Sequence, residues 1–265
     1  MNDRPTYRVA PAKVFFALLS RDARVTRREL PFFLIRTLMQ PLMFIIVFGS
    51  LLPKMGFMGA NYKAVLLPGI LGVSLTLSAI QSVALPMMQD FGWTNEIEDR
   101  LLAPIPIPLI AIEKVVVGTI QGLIAGLCVL PIARLIMGPI PGLTLAHLGE
   151  TVFIALLGSA TFSAIGLFMG TAIKPQQIGF MFSLIIAPML FFGCAYYPWK
   201  GLDVVPALKY AVLINPLVYV AEGLRGVLNP TGPHMNLGVV VAVLTAMLLV
   251  VGWLGVRSFL KRAIK

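Results

Sequence analysis

Few residues in this chain have types and spacings that could do chemistry. His147 and His234 are the two histidines; they stand in separate loops, and no His-Glu-x-x-His segment sets metal ligands on one helix face. Cys128 and Cys194 are the two cysteines, both in or beside apolar runs, where a thiol serves as a small hydrophobe and no disulfide or metal framework is indicated. A membrane hydrolase needs a nucleophile with its base, or a metal set, inside the bundle. None is legible, so no residue is assigned a catalytic or metal-binding role. The chain also lacks a Gly-x-x-x-x-Gly-Lys-Ser/Thr loop and has no such cradle for ATP.

What remains is charge in unusual places. Glu96, Ile97, Glu98, Asp99, Arg100, Leu101 and Leu102, closed by Pro104, Pro106 and Pro108, form a polar island between two segments apolar enough to cross a bilayer. Helical spacing puts Ile97 with Leu101 on one side and Glu98 with Leu102 on the next, as in a short helix lying along the membrane and offering apolar knobs and charges to a partner. A second candidate follows Asn215-Pro216. The run Leu217 to Gly226 has one apolar side and is too short to span, which points to a re-entrant or interfacial helix. Within it Glu222 and Arg225 stand three apart, close enough to meet. The expectation is that this helix, with Tyr219, dips into the outer leaflet and caps an exit, the pair holding its orientation. A third set is Arg36 and Gln40 in the first span together with Phe191 and Phe192, expected to border a path for a hydrophobic or amphipathic cargo.

The elements that position these residues are membrane helices. The composition is 58% hydrophobic and 12% charged, with mean hydropathy +0.91, whereas a soluble domain carries about 25% charged residues. Six spans of roughly 20 or more residues fit, at about 32–52, 64–88, 107–137, 148–173, 177–197 and 237–259. Lipid offers a bare backbone amide no partner, so the fold is all-α. Residues 1–31 read as a cytoplasmic N-terminus with an amphipathic, basic helix over 12–29 in the headgroup region, and 260–265 as a cytoplasmic tail. The leader is not expected to be cleaved.

The net charge of +10 does not point to nucleic acid, because no basic patch is interleaved with aromatics. Instead, Arg4, Arg8, Lys13, Arg21, Arg24, Arg27 and Arg28 precede the first span, and Arg257, Lys261, Arg262 and Lys265 close the chain. With Arg100 and Lys174 they outnumber Lys54, Lys63, Lys200, Lys209 and Arg225, which places both termini inside. Single cysteines at Asn61 and Asn95, in a background without Cys128 and Cys194, are therefore expected to label from opposite sides of the membrane. Labelling of both from one side would reverse this topology.

Gly118, Gly122 and Gly126 recur every four residues in the third span, and Ser159, Ser163, Gly166 and Gly170 do so in the fourth, which suits close helix approach in the bundle. Pro41, Pro68, Pro86, Pro131 and Pro188 are expected to kink or break their helices. Tyr196, Tyr197 and Trp199 read as an aromatic belt at the outer interface.

The island and the late element together resemble the membrane subunits of type-2 ABC transporters. That family carries an acidic residue, a Leu-Leu pair, a Pro and then a Lys after its second span, matched here by Glu96 or Glu98, Leu101-Leu102, Pro104 and Lys114. Its Asn-Pro, Tyr and acidic residue before Leu-Arg are matched by Asn215, Pro216, Tyr219, Glu222, Leu224 and Arg225. A departure is Asp99-Arg100 where the family often has a glycine. The resemblance implies that the island is a coupling helix on a separate ATP-binding subunit, which holds the ATP and Mg while this chain binds no cofactor. It also implies pairing with a second copy or a paralogous permease, and export of a drug, lipid or lipid-linked glycan. A gradient-driven carrier or channel and a membrane-embedded enzyme are the alternatives.

Overall fold

The structure is a computed structural model that describes residues 10–57, 59, 62–92, 102, 104–138 and 147–264, apart from the side chains of Glu29 and Arg36. Its long helices are α1 (Pro11–Ile46), α2 (Tyr62–Gly92), α3 (Ile107–Met137), α4 (Leu148–Ala172) and α8 (Leu237–Ala263). Between α4 and α8 lie three short ones: α5 (Pro175–Phe191), α6 (Pro206–Ile214) and α7 (Pro216–Leu228). Prolines open α1, α6 and α7, where the missing N–H costs nothing, and the Asn215 and Asn236 side chains accept the first free amides of α7 and α8. Among the described residues no strand occurs. Five helices are long and apolar enough to cross a membrane, and a sixth is counted if the bent pair α6 and α7 is one span.

Two boundaries differ from the sequence reading. The segment 12–29 and the first span form one continuous helix. Asp22 and Thr26 lie against Lys114 and Gln121 of α3, so the basic part of α1 runs alongside a neighbouring helix. The run 177–197 is not a full span: its helix ends at Phe191, part of it wound as a π-helix over Met181–Ile186. Apolar composition alone cannot separate helix from turn here. Phe192 to Tyr197 fold as a turn because other side chains satisfy their carbonyls: Arg225 donates to Cys194 and the Tyr62 hydroxyl to Tyr196. Of the prolines expected to kink or break their helices, Pro41 in α1, Pro68 and Pro86 in α2 and Pro131 in α3 do not break them.

The small residues make the centre. A Cβ on Gly122 would lie 2.8 Å from both the Leu75 carbonyl and the Ser159 hydroxyl, and one on Gly166 would lie 2.8 Å from the Ile80 carbonyl. Thus α3 and α4 each touch α2 backbone to backbone, and meet each other through the Ser159 and Ser163 hydroxyls. Lipid supplies no hydrophobic drive to pull helices together, so such close packing holds the bundle. α2 is its axis, buried over most of its length, whereas α8 exposes most of its surface.

Candidate functional site

Of the island, residues 95–101 and 103 lie outside the described residues, and of its predicted contacts only Leu102 is described, exposed at 82%. Its foundation is well defined. Phe91, at the end of α2, meets Phe259 of α8 edge-on with ring centroids 5.7 Å apart, and the Arg262 guanidinium lies 4.8 Å over the same ring. Arg262 also donates to the carbonyls of Thr171 at 2.9 Å and Ile173 at 3.3 Å, closing the C-terminus of α4, where a cation is favoured. On the far side of the island, Ile105 and Ile110 are buried in one cluster with Met87, Leu167 and Phe259, against which Val14 and Leu18 of α1 pack. Beyond them Lys114 pairs with Asp22 and approaches Glu113 at 3.5 Å. The segments on either side of residues 93–101 are therefore anchored to a base built from α1, α2, α3, α4 and α8.

Sequence reasoning singled out Lys114 but missed its partner Asp22. The available signal was that Asp22 is the sole acidic residue in the basic run 21–28. It also missed Phe91 and Arg262 as the clamp before the island, because pairings so distant in sequence leave no local mark.

At the opposite end the late motif closes into a hub. α7 leaves α6 at a bend of 100° and every residue from Leu217 to Leu228 is buried. Val220 packs over Gly72 and Gly158, about 15 Å along α2 and α4 from their starts at Tyr62 and Leu148. Asn215 caps α7 through its Oδ1, 3.0 Å from the Leu217 amide, and its Nδ2 donates to the Met189 carbonyl at 2.7 Å. Pro216 starts the first turn, and the Tyr219 hydroxyl donates to Leu213 at 2.9 Å.

Glu222 and Arg225 are paired and both fully buried. Glu222 accepts the amides of Trp199 at 2.8 Å and Met235 at 2.9 Å. Arg225 donates to the carbonyls of Cys194 at 2.9 Å and Val65 at 3.3 Å. One ion pair thus fastens α2, the turn after α5, the Trp199 turn and the loop before α8. Cys194 adopts φ 52°, a left-handed conformation that costs a non-glycine residue about 1–3 kcal/mol and is held here by its buried surroundings.

The third predicted set is not brought together. Gln40 borders a cavity between α1 and α2, whereas Phe191 and Phe192 are exposed at the end of α5. Arg36 lies on α1 and its side chain is outside the described ones. The belt residues are tied inward, with the Tyr197 hydroxyl on the Phe191 carbonyl at 3.1 Å and the Trp199 indole N–H on that of Lys209 at 3.0 Å. Among the described residues, no group of three or more His, Cys, Asp and Glu could hold a metal.

The sequence matches the family model described as ABC-2 type transporter over residues 13–229, which span the island, the parts of its base on α1 to α4 and the Glu222–Arg225 pair, and stop short of α8. The chain belongs to the ABC-2 type transporter family. It is similar to the inner membrane transport permease YadH of Escherichia coli strain K12, 28% identical over 210 residues that make up 72% of this chain and 75% of that protein. It is also similar to a protein of Cyanophora paradoxa bearing the name transport permease ycf38, 28% identical over 230 residues, 79% of this chain and 72% of that one. As an ABC-2 permease, the chain is the multi-pass membrane subunit of an ABC transporter, and its family implies an ATP-binding partner.

Proposed function

We propose that this permease is half of an ATP-driven exporter in the inner membrane, pairing with a second copy of itself and with a separate ATP-binding subunit that holds ATP and Mg. Its cargo is hydrophobic or amphipathic, and both of its termini lie in the cytoplasm. The observation that carries this reading is the island's base. The segments entering and leaving residues 93–103 are clamped to α1, α4 and α8 through Phe91, Arg262, Ile105 and Lys114, so a push on the island reaches most of the bundle at once. ATP binding would draw the partner subunits together, tilt the island and shift the two bundles against each other. α1 offers a face for the second copy, with Phe32, Ile35, Met39, Met43 and Ile46 exposed. At the far end α7 acts as the outer gate, oriented by Glu222 and Arg225.

Leu102→Asp tests the coupling. The side chain is already exposed, so the substitution should leave folding within about 0.5 kcal/mol. In liposomes containing the complete complex, ATP-driven export of an amphiphile panel should fall at least about tenfold, as expected when an apolar anchor at the centre of an interface is lost. Undiminished export would remove the island from the coupling path.

A further inference from the structure

Between α1, α2 and the π-helical part of α5 lies a cavity of about 220 Å³. Its polar lining is Thr37, Gln40, Ser78 and Gln81, and its apolar lining is Leu77, Leu85 and Phe182. Leu77 is at the midpoint of α2, so the cavity sits deep in the span, where polar side chains are expensive and mark functional sites. Phe182 belongs to the π-helix Met181–Ile186, a distortion that recurs at functional sites.

Thr37 is the decisive residue. It is 7% exposed, and its hydroxyl has no hydrogen-bond partner among the described residues. Threonines in helices ordinarily donate back to the preceding turn. Thr76, Thr119, Thr161 and Thr171 all do so, to the carbonyls of Gly72, Val115, Leu157 and Leu167 at 2.7–2.8 Å. Thr37 instead borders the cavity with its hydroxyl occluded and unengaged, and no hydrogen bond among the described residues engages the Gln40 or Gln81 amides. An unsatisfied buried hydroxyl is destabilising, so its retention calls for a partner that comes and goes.

We propose that this cavity binds the uncharged, hydroxyl-bearing headgroup of an amphiphile, of the size of one sugar ring, with the tail lying between α1 and α5. This rests on the export reading and names the cargo's chemistry. The lining supplies hydroxyl and amide groups, which donate and accept equally and so suit alcohols. No lining residue is ionisable, so a charged headgroup would lose its hydration without a counter-charge from the lining. The volume is about that of seven liquid waters, room for one ring and not for a branched glycan. Arg36, one turn from Gln40 on α1, is the cationic residue that would alter this preference, so an anionic arm belongs in the test.

The test uses the full-length chain in phosphatidylcholine nanodiscs without any ATP-binding subunit, so that its failure is separable from failure of the export reading, which is scored by ATP-driven transport. A photoreactive octyl glucoside is cross-linked and mapped by mass spectrometry. Labelling is expected in the peptides carrying Thr37–Gln40 and Leu77–Leu85. Unlabelled octyl glucoside should compete at concentrations at least tenfold lower than octyl phosphate or octyltrimethylammonium. Thr37→Val and Gln81→Leu should each cut the specific labelling at least fivefold. Thr37→Val should unfold at no lower temperature than the parent, since it removes a hydroxyl that the empty protein leaves unsatisfied. Labelling spread evenly over lipid-facing helices would overturn the proposal, as would equal or better competition by either charged amphiphile. Unchanged labelling in both variants would mean that Thr37 and Gln81 do not hold the headgroup, and would overturn it too.

Discussion

Arg225→Ala is expected to remove most of the protein from the membrane fraction. The substitution leaves the Glu222 carboxylate buried beside an empty space and frees the Cys194 and Val65 carbonyls next to it. Breaking a buried pair from one side costs about 3–5 kcal/mol, a large part of the 5–15 kcal/mol by which a domain of ordinary stability is folded. Glu222→Ala strands the guanidinium and the Trp199 and Met235 amides, with a loss of the same order. The double variant should lose less than the sum, by about 0.5–3 kcal/mol, because neither charge is then left alone. Detergent-solubilised unfolding of the three variants and the parent reads this directly. Strictly additive, near-neutral changes would mean that the pair neither holds α7 nor gates anything.

Gly166→Leu is expected to have the next largest effect. The added Cβ would press on the Ile80 carbonyl and Cα, backbone atoms of the central helix that cannot rotate away as a side chain could. Overpacking of this kind costs about 1–3 kcal/mol even where neighbours can adjust, and here α2 and α4 would have to separate along the seam. Gly122→Leu, facing the Leu75 carbonyl, should behave alike. Gly252→Leu on α8 supplies the contrast, since nothing lies within 4 Å of its added Cβ and leucine is the better helix former. Thermal unfolding and size-exclusion profiles of the three variants would show two losses and one parent-like protein. Parent-like behaviour of Gly166→Leu and Gly122→Leu would mean that close backbone approach does not hold this bundle.

Much of this architecture is legible in the amino-acid order, because the membrane leaves only helices to choose from. The four-residue spacing of Gly118, Gly122, Ser159 and Ser163 places the seam, and the spacing of Glu222 and Arg225 brings them into reach. How far they are buried is not legible. The same ten residues would read identically on a solvated loop, and burial follows from Gly72 and Gly158 opening space for Val220. The end of α5 was misread for a related reason. Phe192, Ala195 and Tyr196 are as apolar as any span, and only the remote donors Tyr62 and Arg225 allow them to leave the helix. The Asp22 to Lys114 pair and the Thr37 cavity are set by the registry of α1 against α3 and α2, which hydropathy does not encode.

The central claim is that this permease is driven by ATP hydrolysed on another chain. The most direct measurement is ATP hydrolysis by the purified chain in liposomes, alone and then assembled with an ABC ATP-binding subunit. The chain alone should show none, and the assembled complex should hydrolyse ATP and move an amphiphile only when ATP and Mg are present. Hydrolysis by the chain in a preparation proven free of other subunits, or export by the chain alone down an ion gradient, would contradict the account.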